Sequence, residues 1–245
     1  MIPRVFQVHV LRPARPARAR PRAALPFERQ LSRARSARPS ASQPKAASLA
    51  APPRAPEPIA RGRIGPEPWL RTASRRALAR QIAFSARSAG VDPELSLGIA
   101  IAESSLEPGA VSADGSSRGT FQVTEGTARE VRGRVSAGLL PRLPGPDDVS
   151  LGIAYLRHLQ DIFAHGGVLA DGLRATPVPS SHERDLFAAA AFNAGEGRVA
   201  RAQQAARSAG GRPTRFADVE PFLPALTRIY VRRVLAYAGP APASA

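Results

Sequence analysis

From residue 75 onward apolar residues recur at helical spacing, and nowhere do they alternate long enough to suggest a sheet. Over Arg75 to Ala89, Leu78, Ile82, Ala86 and Ala89 fall on one face, and Gly90 is placed to end the helix. Asp92-Pro93 supplies a cap and a first-turn proline for a second helix, along which Leu95, Ile99 and Ala102 face inward and Glu103 stands at the C-terminal end. A third helix begins at Asp148, with Val149, Gly152, Ile153, Leu156, Leu159 and Phe163 inward. Two more are predicted, over Glu183 to Ala191 and Pro224 to Ala238. The pattern therefore predicts a mainly α fold over residues 66–240.

Charge divides the chain differently. Of 35 Lys+Arg and 19 Asp+Glu, residues 1–65 hold 14 and 2, which leaves 21 and 17 for the remaining 180 residues. The net charge of +16 is thus a surplus of 12 in the first quarter and only 4 beyond it. Eleven of the 25 prolines also fall in 1–65. Such a segment cannot bury enough apolar surface to offset the entropy of ordering it, so 1–65 and the short end 241–245 are predicted to be disordered. A basic run of this kind suits non-specific contact with anionic polymers of the cell envelope. Specific nucleic-acid reading is not supported, because only Phe6 and Phe27 stand among its many arginines.

Other classes of chemistry are poorly served. The chain has no cysteine, which excludes a disulfide framework, a thiolate metal site and a thiol nucleophile. His9, His158, His165 and His182 have no metal-binding spacing, and His158 and His165 read as surface residues of one helix. No Gly-x-Ser-x-Gly turn is present for a serine nucleophile. The longest apolar run, Leu186 to Gly195, is about half a membrane span and contains Asn193. Val5 to Leu11 is interrupted by Gln7 and His9, so it is not read as a secretory signal. No metal or cofactor is implied.

The stretch from Glu103 to Thr127 is rich in serine and glycine and suits a polar ligand groove. Glu103 follows the apolar run Leu97 to Ala102. Desolvation at the edge of a core would keep its carboxyl protonated, as a general acid requires. Taken alone, the same residue is more readily read as an ordinary exposed glutamate at a helix end.

Five motifs in order bear on that choice. Glu103-Ser104 with Ala110-Val111-Ser112, Gly119-Thr120-Phe121-Gln122, Gly152 to Leu156, Ala191 to Val199, and Tyr230-Val231 resemble the soluble lytic transglycosylase (SLT) domains of the goose-lysozyme-like group. The resemblance spans about 75–236. It implies a lysozyme-like helical domain with a substrate groove, acting on peptidoglycan glycan strands in the envelope, in the periplasm or after secretion, as a monomer. It also implies cleavage of the β-1,4 bond between N-acetylmuramic acid and N-acetylglucosamine, with Glu103 as the single general acid and base and a 1,6-anhydro product. Glycosidases ordinarily use two carboxylates, but no second acid belongs to these motifs, and Asp114, Glu125, Asp147 and Asp148 read as loop or cap residues. By the same resemblance, Ser104, Ser112 and Gln122 belong to substrate binding, Phe121 and Phe192 to the groove wall, Asn193 to positioning, and Tyr230 reaches towards Glu103. Phe121, Phe192 and Tyr230 are also readable as plain packing residues.

Three positions depart from the family pattern. Phe192 replaces a tyrosine, Leu226 replaces a glutamate, and the loop Gly115 to Gly119 is one residue longer. Two alternatives follow: a lysozyme-type hydrolase on the same fold, or a weakly active wall-binding protein with a basic tether.

Overall fold

A computed structural model describes residues 64–169 and 172–239. The basic segment predicted to be disordered lies outside these except for Ile64 and Gly65, and 241–245 lies wholly outside them. The helices are α1 (Ala73–Ala89), α2 (Pro93–Ser104), α3 (Glu125–Ser136), α4 (Asp147–His165), α5 (Ser181–Ala194), α6 (Glu196–Ser208), the single turn α7 (Phe216–Val219) and α8 (Ala225–Tyr237). A two-residue hairpin pairs β1 (Ser117–Arg118) antiparallel with β2 (Val123–Thr124). It joins the α2 loop to α3.

The local rules explain most boundaries. Thr72 caps α1 through the N–H of Arg75, and Gly90 ends it in the left-handed conformation at φ 67°. Asp92 caps α2 by accepting from the N–H of Glu94, with Pro93 at the first position. Ser180 caps α5 in the same way through Glu183. Asp148, expected to cap α4, instead lies in its first turn behind Pro146, and its carboxylate is engaged elsewhere.

Helix α5 forms the centre. From Leu186 to Ala194 every residue is buried, because the run Ala188–Ala191 lets α4, α6 and α8 approach it closely. The apolar faces of α1, α2, α4, α6 and α8 close around it in one cluster containing Ile82, Leu95, Ile99, Ile153, Leu156, Phe163, Phe187, Val199 and Val234. A second, smaller cluster of Val131, Leu140 and Ala154 seats α3 on α4. Helix α8 packs on both α2 and α5. At Gly98 an added Cβ would lie 2.5 Å from the Val234 carbonyl oxygen, so only glycine lets α2 meet the α8 backbone this closely. The α8 face that carries Thr227 and Tyr230 is thereby set against the end of α2.

Candidate active site

Glu103 sits one residue from the end of α2 and is only 3% exposed. Two successive residues with positive φ, Ser105 at 57° and Leu106 at 60°, then turn the chain sharply. Ser104 stabilises this bend from both sides: its hydroxyl donates to the Thr120 carbonyl at 2.8 Å and to the Ala100 carbonyl at 3.2 Å, and it accepts from the N–H of Glu107. The residue predicted to touch substrate therefore fastens the end of the helix to the loop that follows.

That loop is held by its own polar groups. Ser112 is buried, donates to Asp114 Oδ1 at 2.7 Å and accepts from the N–H of Ser117. Asp114 also accepts from the backbone and hydroxyl of Ser116, and these donors hold its carboxyl below the usual aspartate range. Gln122 has a left-handed backbone at φ 48°; its Nε2 donates to the carbonyls of Gly119 and Ala110, and its Oε1 accepts from Ser117. The amide that sequence placed on the sugar is thus committed within the turn, and what Gln122 offers a ligand is the surface of its side chain in a pocket wall. Phe121 is fully buried against Gly152 and packs 6.3 Å from Phe192, so it supports the groove from beneath. Phe192 continues the aromatic layer to Tyr155 at 5.2 Å.

Asp148 completes the loop's attachment. Its Oδ2 accepts from the Thr120 N–H at 2.9 Å and from the Thr120 hydroxyl at 2.8 Å, 28 residues earlier in the chain. Gly119 must pass so close that a Cβ there would lie 2.8 Å from the Asp148 Cβ. Replacing Asp148 with Ala leaves a buried donor pair unsatisfied and is expected to lower stability by about 1–3 kcal/mol. Thermal melting of the variant measures this, and a melting temperature equal to wild type would contradict it.

Helix α8 joins the two halves of the site. The Tyr230 hydroxyl donates to Glu103 Oε1 at 2.9 Å across 127 residues of sequence. One turn earlier, the Thr227 hydroxyl donates to Asn193 Oδ1 at 2.9 Å, and Asn193 is 7% exposed. Because residues three apart on a helix are neighbours, Glu103 and Asn193 are brought to one edge of α8. Thr227 was not among the residues predicted for the site. Nothing in its local sequence marks it, because its partner comes from another helix.

Asn193 and Phe192 line a pocket of about 200 Å³ with Gln122, Tyr155, Thr127 and Arg198. A larger cavity of about 680 Å³ lies beyond Val123 and is bounded by Arg118, Arg132, Glu125, Asp147 and Asp148. Leu226, which replaces a family glutamate, is half-buried in the first turn of α8. His158 is not the surface residue expected: its side chain is 13% exposed under α3, 3.9 Å from Glu130 Oε1, and burial, followed by the charge of Arg134, pulls its pKa down. Among the described residues no three His, Cys, Asp or Glu side chains come together as metal ligands.

Known proteins resemble the chain over part of its length. Membrane-bound lytic murein transglycosylase F of Marinobacter nauticus is 34% identical over 143 residues, which are 58% of this chain and 25% of that protein. The protein of the same name from Vibrio cholerae is 32% identical over 143 residues, 58% of this chain and 23% of its own. The chain thus spans about a quarter of the length of these relatives. Among solved structures, the lytic transglycosylase Slt of Pseudomonas aeruginosa matches at 24% identity and a TM-score of 0.44, covering 68% of this chain and 23% of that one. The 70 kDa soluble lytic transglycosylase of Escherichia coli matches at 25% identity and a TM-score of 0.46, covering 65% and 23%. The model of the family described as Transglycosylase SLT domain matches residues 81–214, which run from α1 past the end of α6 and include Glu103, Gln122 and Asn193. With more than half its length inside that match, the chain belongs to the transglycosylase SLT domain family.

Proposed function

We propose that this chain is a lytic transglycosylase that cleaves the β-1,4 bond between N-acetylmuramic acid and N-acetylglucosamine in peptidoglycan. The observation that carries the reading is Glu103: a carboxyl 3% exposed at the end of an apolar helix, which accepts from the Tyr230 hydroxyl beside a serine-rich turn. Burial of this kind disfavours the carboxylate and suits a group that must first give up a proton. Glu103 protonates the glycosidic oxygen as the bond to C-1 breaks. The resulting carboxylate then takes the proton of the sugar's own C-6 hydroxyl as O-6 closes on C-1, which gives the 1,6-anhydro ring and regenerates the acid.

A single acid and base is consistent with the surrounding carboxylates. Asp114 is committed to Ser112 and Ser116, and Asp148 to Thr120. Ser104, Ser112, Gln122 and Phe121 act by fixing the loop that carries the groove wall, whereas Phe192 and Asn193 face the pocket and meet the sugar. Tyr230 fixes the rotamer of Glu103. The relatives' names, which speak of membrane-bound murein enzymes, support a place in the cell envelope. Among the described residues no helix is long and apolar enough to cross a membrane.

Digestion of purified murein, followed by mass spectrometry of the fragments, tests this reading. Products one water lighter than the corresponding reducing sugars are expected. Fragments with only reducing ends would establish a lysozyme-type hydrolase, and no fragments at all would leave a wall-binding protein.

A further inference from the structure

We propose that the exposed face of α1 is a docking surface for an anionic phospholipid bilayer, on which its arginines pair with lipid phosphates while Phe84 enters the interfacial layer.

The face is built by spacing. Arg76, Arg80, Phe84 and Arg87 follow one another at intervals of four, four and three, which places them on one side of the helix. All four are exposed, and they lie opposite Leu78, Ile82 and Ala89, which face the core. From Arg76 to Arg87 the stripe runs roughly 16 Å at 1.5 Å per residue, so it can lie flat on a surface. Its charge has one sign. Between Leu70 and Val91 there are five arginines and no aspartate or glutamate. Arg75 turns aside towards Glu107, 3.9 Å away, but Arg80 and Arg87 have no carboxylate partner among the described residues. Arg76 is steadied by the Leu70 and Arg71 carbonyls, to which its Nη1 donates.

Two neighbouring segments extend the positive field. The loop 137–146 meets α1 where the Ser85 hydroxyl donates to the Pro144 carbonyl. That loop contains no acidic residue, and Arg142, two residues from the contact, is exposed. The segment 1–65, with 14 basic and 2 acidic residues, ends eight residues before α1. Charge complementarity therefore points to an anionic partner.

Phe84 selects the kind of partner. A soluble polyanion would pair with the arginines and leave the ring, which is 57% exposed, in water. A single exposed aromatic is ordinary, but this one stands between Arg80 and Arg87. Guanidinium groups bound to lipid phosphates would hold it at the boundary between headgroups and acyl chains. Docking here is independent of the chemistry at Glu103, because no residue of α1 lines the pocket beside Asn193 or the cavity beyond Val123.

The test mixes the full chain with vesicles of phosphatidylcholine and with vesicles of phosphatidylcholine and phosphatidylglycerol. Segment 1–65 would attract the second kind by itself, so the readout is local to the stripe. In Phe84→Trp, indole emission is expected to shift to the blue and to be quenched by brominated acyl chains on the anionic vesicles alone; the wild type, with Trp69 as its one tryptophan, supplies the background. Arg80→Gln together with Arg87→Gln is expected to weaken binding to anionic vesicles about tenfold, and Phe84→Ala about fivefold. Arg80→Lys together with Arg87→Lys should keep it, and added salt should weaken it. Wild-type melting temperatures are expected throughout, since every substituted side chain is exposed. Vesicle binding that leaves the Phe84→Trp emission unmoved, or that survives the double glutamine change, overturns the proposal and assigns the attraction to segment 1–65. Binding to vesicles and to soluble polyphosphate that falls equally with the double glutamine change, and is indifferent to Phe84→Ala, overturns it in favour of a soluble anionic polymer.

Discussion

Replacing Glu103 with Gln is expected to reduce murein cleavage by about 10²- to 10⁴-fold, the range over which a positioned general acid and base contributes. Glutamine has nearly the same shape, and its amide oxygen can still accept from the Tyr230 hydroxyl that now donates to Oε1 at 2.9 Å. What it lacks is a proton to transfer. The fold should therefore be retained, with a melting temperature within about 2 °C of wild type. Release of anhydro-muropeptides from purified murein, measured by chromatography at equal protein concentration, reads the effect. Equal rates in the two proteins would remove Glu103 from the chemistry.

The second large effect is expected far from any polar group. Gly98 lies in the middle of α2, where helix propensity alone favours alanine by about 1 kcal/mol. The added Cβ, however, would lie 2.5 Å from the Val234 carbonyl oxygen and 3.1 Å from the Ala238 nitrogen. Both are backbone atoms that cannot rotate aside. Gly98→Ala must therefore part α2 from α8, with a net loss of about 1–3 kcal/mol. It should also slow cleavage, because Thr227 and Tyr230 ride on the displaced helix. Thermal melting decides the matter by sign: an alanine variant more stable than wild type would mean that propensity wins and the close approach carries no cost.

Sequence marked the elements that local rules specify. Asp92-Pro93 and Gly90 carry their signals within a few residues; α1 and α2 follow from such caps, α4 and α8 from apolar residues at helical spacing, and α5 from its continuous apolar run. Helix α3 was not predicted: its inward residues are few, Ala128 and Val131, and Gly126 and Gly133 interrupt the pattern. Helix α6 was also missed, because its buried face is made largely of alanine. Asp148 resembles a cap in sequence, yet its partner is Thr120, and no periodicity announces a bond to a preceding loop. Tyr230 as a neighbour of Glu103 was legible only through the family motifs. The commitments of Ser112 and Gln122 to their own turn depend on a backbone path that composition does not encode.

One contact at the edge of the domain bears on how it is carried. The N–H groups of Ile64 and Gly65 both donate to the Ala236 carbonyl, and Trp69 rests on Tyr237 with ring centres 4.4 Å apart. Entry to the domain is therefore pinned to the same end of α8 from which the chain leaves after Gly239. That end lies roughly 13 Å along the helix from Thr227, at 1.5 Å per residue. The first and last described residues thus meet at one end of α8, and the pocket beside Thr227 and Asn193 lies towards its other end, clear of both.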